Sequence, residues 1–276
     1  MNPSKMSSVF VRLLFVLVVF VVVSSGVYFI LRSPKAPPSV DRIEREPPSK
    51  PLGMIAVIID DNGYTPDSCR PIRAIRHPIA ISILPHLPYS RFVADCAHAA
   101  HKEIMLHMPM EPHVWYETYQ DDYVLTTDMP PDKIRQLLNS AIQSVPYAQG
   151  VNNHMGSKAT EDKALMTIFL QELRKRNLFF IDSRVTLDSA APHLAEQLDL
   201  PYAERNVFLD NEADRAYIAG QFEELAQKAH RDGRAIGIGH ARPLTWAVMK
   251  EQLISLEERG FRIVTISELL TDPGQQ

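Results

Sequence analysis

Six short apolar runs in this 276-residue chain end in residues able to do chemistry. Asp60-Asp61 close Met54–Ile59, His107 follows Glu103–Leu106, and Asn152-Asn153-His154 end the run that starts at Gly150. Asp182 follows Leu178–Ile181, Asp210 follows Ala203–Leu209, and His240 follows Ala235–Ile238. Carboxylate and imidazole together suit a borderline divalent cation, with zinc the leading expectation. A catalytic zinc takes three protein ligands and keeps a position open for water. Asp61, His107 and His154 would supply one carboxylate and two nitrogens. Asp60, next to a ligand but directed elsewhere, suits a general base, and His240 suits the acid that protonates a leaving group. The chemistry is metal-assisted hydrolysis of a carbonyl compound.

Each residue alone has a blander role. An Asp-Asp pair is often a solvated turn, and a histidine between Leu106 and Met108 is often a satisfied core residue. Asp182 is able to cap a turn through Ser183 and Thr186, and Asp210, before Asn211-Glu212-Ala213, has the form of a helix N-cap. Gly237 and Gly239, just before His240, permit close approach of backbone or ligand. What favours function is the shared position, provided that the elements bring all these run ends to one place.

The pattern supplies such elements. Apolar runs also occur at Ile79–Leu84 and Arg262–Ile266, and the segments between runs are amphipathic with helix signals. The clearest are Pro66–Ile75, Pro88–Ala100, Pro130–Val145, Glu161–Arg176, Ala213–Arg231 and Pro243–Arg259, with stops at Asp232-Gly233 and Gly260. Strands alternating with helices predict a mainly parallel sheet, here a distorted (β/α) barrel of seven or eight units over residues 52–276. A doubly wound open sheet competes, but no glycine-rich phosphate loop follows the first strand. In either fold the carboxyl ends of the strands share one face, where sites form. The stretch Pro109–Asp128 is long for a strand–helix connection and carries Trp115, Tyr116, Tyr119 and Tyr123, either a self-packed lid or a platform for sugar rings.

The first fifty residues are of another kind. Leu13–Leu31 holds no charged residue over 19 positions, enough to span a hydrocarbon core of about 30 Å. Residues 1–12 form a basic lead, and 32–51 form a spacer containing Pro34, Pro37, Pro38, Pro47, Pro48 and Pro51. A retained anchor is the expectation, because Val27–Leu31 extends the apolar run past the small residues Ser24-Ser25-Gly26; a cleaved signal peptide is the alternative. The catalytic domain is then expected on the far side of the membrane, in the periplasm. Residues 1–51 carry seven Lys/Arg and three Asp/Glu, whereas the remainder carries 22 bases and 30 acids. An acidic domain excludes nucleic acid as the expected partner. Cys69 and Cys96 form either one bridge in an oxidising compartment or two inert thiols.

The segments IAVIIDDNGY, EIMLHMPMEP, GVNNHMGS, FFIDSR, VFLD and AIGIGH, in that order, resemble the divergent polysaccharide deacetylase family. That resemblance covers nearly all of Leu52–Asp272 and implies a distorted (β/α) barrel that removes acetyl groups from a cell-envelope polysaccharide or peptidoglycan. It makes Asp60 the base and Asp61 a metal ligand. The mainstream second motif has two histidines four apart, whereas His107 is followed here by Glu111, so the missing ligand is either His154 or Glu111. The arginine that orients the base in the mainstream third motif has no counterpart in GVNNHMGS. The fourth motif's aspartate corresponds to Asp182, without its tryptophan, and the last motif's histidine to His240. Glu111, Asn153, Ser157, Asp182, Ser183, Arg184 and Asp210 are assigned to substrate contact or to support of the ligands. Two other activities remain open: a catalytically silent, membrane-tethered glycan-binding or assembly protein, and a glycosidase using Asp60 and Asp182 as paired acids.

Overall fold

The computed structural model describes residues 51–115 and 123–271. The span 13–31, the basic lead, the spacer up to residue 50, and Tyr116 and Tyr119 lie outside the described residues. No helix among the described residues is long and apolar enough to cross a membrane.

The order is β1 (Met54–Asn62), a 3-10 turn (Pro66–Ser68), α1 (Cys69–Ala74), β2 (Ala80–Ile83), α2 (Ser90–Ala99), β3 (Glu103–Met110), α3 (Pro131–Ser144) and β4 (Gly150–Met155). There follow α4 (Lys163–Lys175), β5 (Phe179–Asp182), α5 (Ala191–Gln197), β6 (Tyr202–Glu204), β7 (Val207–Phe208) and α6 (Arg215–Asp232). The chain then forms β8 (Arg234–His240), α7 (Pro243–Glu258), β9 (Arg262–Ile263) and α8 (Ile266–Thr271). The strands pair in the order β6-β5-β4-β3-β2-β1-β8-β7, with β9 added to β1. The ladders are parallel. Among the described residues no ladder joins β6 to β7, so the barrel is open along one seam.

Side chains alternate across a strand, and the alternation separates two cores. Ile55, Val57 and Ile59 of β1, Ile81 and Ile83 of β2, Ile104 and Leu106 of β3 and Phe180 of β5 pack outward under the helices. Ala56, Ile58, Ala80, Met105, Phe179, Ile181, Ile236 and Ile238 form the second cluster, together with Ile266 and Leu269 of α8. This second cluster is the barrel interior, and α8 plugs its amino end. Glu103, buried on the interior-facing parity of β3, accepts hydrogen bonds from Ile266 N at 2.6 Å and Ser267 N at 2.9 Å, which fixes the plug.

Two expected elements change. Ala203–Leu209 is not one strand but two, because β6 pairs with β5 and β7 with β8, and the seam falls at Arg205-Asn206. Asn206 makes the break firm: its N–H donates to Ile236 O at 2.9 Å and its Oδ1 accepts from Ile236 N at 2.6 Å. Arg262–Ile266 yields only the two-residue β9 before Ile266 starts α8. Gly237 and Gly239 serve packing rather than ligand approach. A Cβ at Gly237 would lie 2.8 Å from Leu225, and one at Gly239 3.0 Å from Thr245. Cys69 and Cys96 are bonded, tying α1 to α2 across 27 residues.

Gly150 tests the interior packing. A Cβ there would lie 2.0 Å from the ring of Phe179, whose side chain fills the interior beneath the mouth. Gly150→Ala is expected to cost about 1–3 kcal/mol of stability, the usual penalty of overpacking. Denaturant titration gives the check: an unchanged midpoint would mean that Phe179 moves freely.

Candidate metal centre and active site

The interior-facing parity of each strand turns polar at its carboxyl end. Ala56 and Ile58 lead to Asp60, Ala80 to Ser82, Met105 to His107, Gly150 to Asn152 and His154, Ile181 to Ser183, and Ile236 and Ile238 to His240. Asp61 has the wrong parity for the interior. Its φ of 59°, in the left-handed region that Asp tolerates better than most residues, interrupts the strand, and the register with β2 shifts between Ile59 and Asn62. Asn62 Nδ2 secures this irregular end by donating to Ile59 O at 2.7 Å and Ser82 O at 3.2 Å. Asp61 therefore turns back over the mouth beside Asp60.

There it meets two histidines. Asp61 Oδ1 lies 3.3 Å from His107 Nε2 and 3.2 Å from His154 Nδ1, and these nitrogens are 3.1 Å apart. Tetrahedral bonds of about 2.0–2.1 Å would set ligand atoms about 3.3 Å apart, so this triangle fits a small divalent ion. The electronic demand agrees. His107 Nδ1 donates to Asn152 Oδ1 at 3.0 Å, which in the neutral ring leaves Nε2 a bare lone pair aimed at the triangle. Asp61 Oδ1 is buried and has no hydrogen-bond partner of good geometry. One carboxylate oxygen and two imidazole nitrogens thus converge on one point, an arrangement able to hold a cation. Burial pushes the Asp61 carboxyl up, but the facing histidines outweigh it and hold the group below the usual carboxylate range.

Asp60 is 2% exposed, and its Oδ2 stands 3.7 Å from His107 Nε2. Burial raises its pKa, while the charge of His107 and the hydrogen bonds from Asn152 oppose the rise. Asn152 Nδ2 donates to both carboxylate oxygens, at 2.9 and 3.1 Å, and Asn152 Oδ1 also accepts from Ser82 Oγ at 2.5 Å. One carboxamide thus holds the buried carboxylate with one end and the His107 ring with the other. From sequence Asn152 stands among the polar strand ends without a role, and Ser82 goes unremarked. The signal available was parity, since Asn152 shares the face of His154.

Across the mouth, His240 Nδ1 donates to Asp210 Oδ1 at 2.7 Å. Asp210 Oδ2 accepts from His240 N at 2.9 Å and from Thr245 Oγ1 at 2.6 Å. Burial lowers the His240 pKa, but the Asp210 hydrogen bond and charge outweigh it and raise it above the ordinary imidazole value. Asp210 is not the helix N-cap its surroundings in sequence imply. Asp214 caps α6, accepting from Tyr217 N at 2.8 Å.

The remaining candidates hold the rim together. Glu111 is not in the triangle: Oε1 accepts from Lys158 Nζ at 2.7 Å, and Oε2 accepts from Thr127 N at 2.7 Å and Thr127 Oγ1 at 2.8 Å. It clamps the connection between β3 and α3 to the segment after β4. Asp182 points outward from β5, accepting from Arg184 N at 2.7 Å and Ser189 Oγ at 2.6 Å, so both its oxygens serve the loop before α5. Asn153 and Ser183 latch β4 to β5, with Asn153 Oδ1 accepting from Ser183 N and Asn153 O accepting from Ser183 Oγ, both at 2.8 Å. Ser157 Oγ accepts from His113 N at 3.0 Å, and Arg184 Nη1 pairs with Glu204 at 3.2 Å. Tyr123, in the aromatic loop, stacks on His86 with centroids 3.8 Å apart.

Comparison with known proteins supports the barrel fold and shows the family. An uncharacterized protein of Escherichia coli K12, YibQ, is 34% identical over 221 residues, covering 80% of this chain and 68% of that protein. An uncharacterized protein of Haemophilus influenzae is 36% identical over 204 residues, covering 74% of this chain and 72% of that one. The crystal structure of an uncharacterized protein from Agrobacterium tumefaciens C58 superposes with a TM-score of 0.76 at 22% identity, covering 80% of this chain and 90% of that one, a likeness of fold. The model of the divergent polysaccharide deacetylases matches residues 57–270, nearly the whole barrel, and the chain belongs to that family.

Proposed function

We propose that this chain is a zinc-dependent hydrolase that removes acetyl groups from a cell-envelope glycan or peptidoglycan, from nitrogen or oxygen. The observation that carries the proposal is the triangle of Asp61 Oδ1, His107 Nε2 and His154 Nδ1, with edges of 3.1–3.3 Å, between a buried carboxylate and an Asp–His pair. Those three residues would hold the ion, which when bound lowers the pKa of water and polarises the acyl carbonyl. Asp60 takes the proton from the attacking water, its carboxylate aimed by the two hydrogen bonds from Asn152. His240, protonated and steadied by Asp210, gives its proton to the departing amine or alkoxide as the bond from the acyl carbon to that atom breaks. Asp182 takes no part in this scheme, which sets the glycosidase alternative aside, because its two oxygens are engaged by the loop.

We further propose that residues 13–31 anchor the protein and 32–51 space the barrel, residues 52–276, from the membrane surface on the periplasmic side. The disulfide supports an oxidising compartment for the barrel.

Metal content separates the two ligand sets. The purified protein is expected to bind about one zinc equivalent; His107→Ala and His154→Ala abolish it, whereas Glu111→Ala leaves it. Metal analysis in which Glu111→Ala, and not His154→Ala, empties the protein would reverse the ligand assignment. With acetylated chitooligosaccharides or peptidoglycan, wild type is expected to release acetate and to stop when chelator is added. Glycan binding without acetate release, unaffected by chelator, would establish the silent binding protein instead.

Two variants then probe the proton carriers. Asp60→Asn keeps the metal and lowers kcat by about 10²–10⁴-fold, and Asn152→Ala costs about 10–100-fold in metal affinity or turnover; full turnover in either would remove that residue from the mechanism. His240 must be protonated to act, so activity falls at alkaline pH as its raised pKa is passed. Asp210→Asn removes the charge that raises this pKa, and the alkaline limb of the pH–rate profile is expected to move to lower pH. A limb that stays in place assigns the acid to another group.

A further inference from the structure

Arg205 stands at the seam between β6 and β7. Its Nε donates to Ser183 O at 2.7 Å and its Nη2 to Arg184 O at 2.9 Å. Both acceptors follow β5 at the mouth of the barrel, so the side edge of the guanidinium is fastened to the rim. Its flat face lies over the Phe208 ring, 3.6 Å from the centroid. Phe208 lies nearly parallel to the His240 imidazole, with centroids 6.0 Å apart. A planar fork fixed by two carbonyls and a ring has little freedom left to lose on binding a ligand.

The outer end of the fork is unused. Nη1 has no acceptor among the described residues, and no carboxylate there is in ion-pair contact with Arg205. Neighbouring Arg184, by contrast, pairs with Glu204. In a domain with 30 acids and 22 bases, a half-buried arginine without a counter-ion is out of keeping. Burial and the charge of Arg184 push its pKa down to about 10, while Asp182 and Asp60 draw it up, so it stays charged at neutral pH and within reach of the Asp60 field. The free edge presents N–H groups from Nη1 and Nη2 side by side, the spacing that two carboxylate oxygens accept. A sugar hydroxyl would engage only part of that edge and leave the charge uncompensated.

We infer that Arg205 is the receptor for a carboxylate carried by the glycan, so that the site selects an acidic acetylated sugar over a neutral one. This deepens the deacetylase reading and rests on it for the identity of the ligand as a glycan. The carboxylate is either on a side arm of the acetylated sugar itself or on a neighbouring ring, and the test separates the two.

Calorimetric titration of the purified full chain with three probes decides the matter: N-acetylmuramic acid, a disaccharide of glucuronate and N-acetylglucosamine, and neutral diacetylchitobiose. At least one acidic probe is expected to bind about 10-fold or more tightly than the neutral one, in line with a charge-assisted hydrogen-bond pair. The probe favoured names the position of the carboxylate. Arg205→Ala is expected to erase the difference, and Arg205→Lys to keep only part of it, because a point charge lacks the fork. Where Arg205→Ala fails to fold, Arg205→Gln carries the same expectation. Equal affinity for all three probes in wild type, no binding of any, or a preference that survives Arg205→Ala would each overturn the inference. Acetate release is measured alongside. Acid-selective binding without acetate release sinks the deacetylase reading and keeps the anion receptor, whereas equal release from acidic and neutral glycans does the reverse.

Discussion

Parallel strands running into one mouth impose alternation on everything this barrel does. Each strand offers the axis every second side chain, and the carboxyl ends of those rows meet. Near the amino end the rows are Ala56, Ile58, Phe179, Ile236 and Ile238, sealed by Ile266 and Leu269. At the mouth the interior-facing rows end in Asp60, Ser82, His107, Asn152, His154, Ser183 and His240. The apolar half gives the polar half a rigid, dry floor. A buried polar group in such surroundings is costly unless partnered, and a fully partnered network is correspondingly stiff. Asn152 meets that demand for two functional groups at once, giving its donor to Asp60 and its acceptor to His107. Its neutral carboxamide holds both groups without adding a charge between them.

Adjacent carboxylates are driven apart in character by that setting. Asp60 lies beneath the rim and burial raises its pKa, while Asp61, turned over the mouth by its left-handed backbone, faces two histidines and is held low. Two neighbouring carboxylates are thus set in opposite environments. The same division recurs across the mouth. Asp210 is buried with both oxygens hydrogen-bonded to His240 and Thr245, whereas the His240 ring remains partly exposed. The rim is stiffened separately by the Glu111 clamp and the Asn153–Ser183 latch, and the outer helices α1 and α2 are tied by a disulfide.

Much of this was legible in the residues themselves. The strand–helix alternation, the order of the polar run ends and the membership of Asp60, His107, His154 and His240 in one site follow from hydrophobic periodicity and from the common direction of parallel strands. Where that reasoning slipped, a long-range pairing was the cause. Ala203–Leu209 reads as one run although Glu204-Arg205-Asn206 interrupt it, and its two halves belong to opposite edges of an open ladder. Asp182 and Asp210 look alike in sequence, but the pairing of β7 with β8 brings only Asp210 against His240, while Asp182 faces outward to Ser189.

The sequence alone determined which atoms were available and roughly where along the axis each would stand, because alternation and strand direction are local properties of the chain. Tertiary structure alone decided who meets whom. The choice of His154 over Glu111, the reversal at Asp61, the double duty of Asn152 and the free edge of Arg205 each depend on contacts between residues 21 to 92 positions apart or on one backbone angle. Hydrogen bonds are short and directional, so partners of that kind are set by the packing of distant segments and leave no periodic trace in the residues that make them.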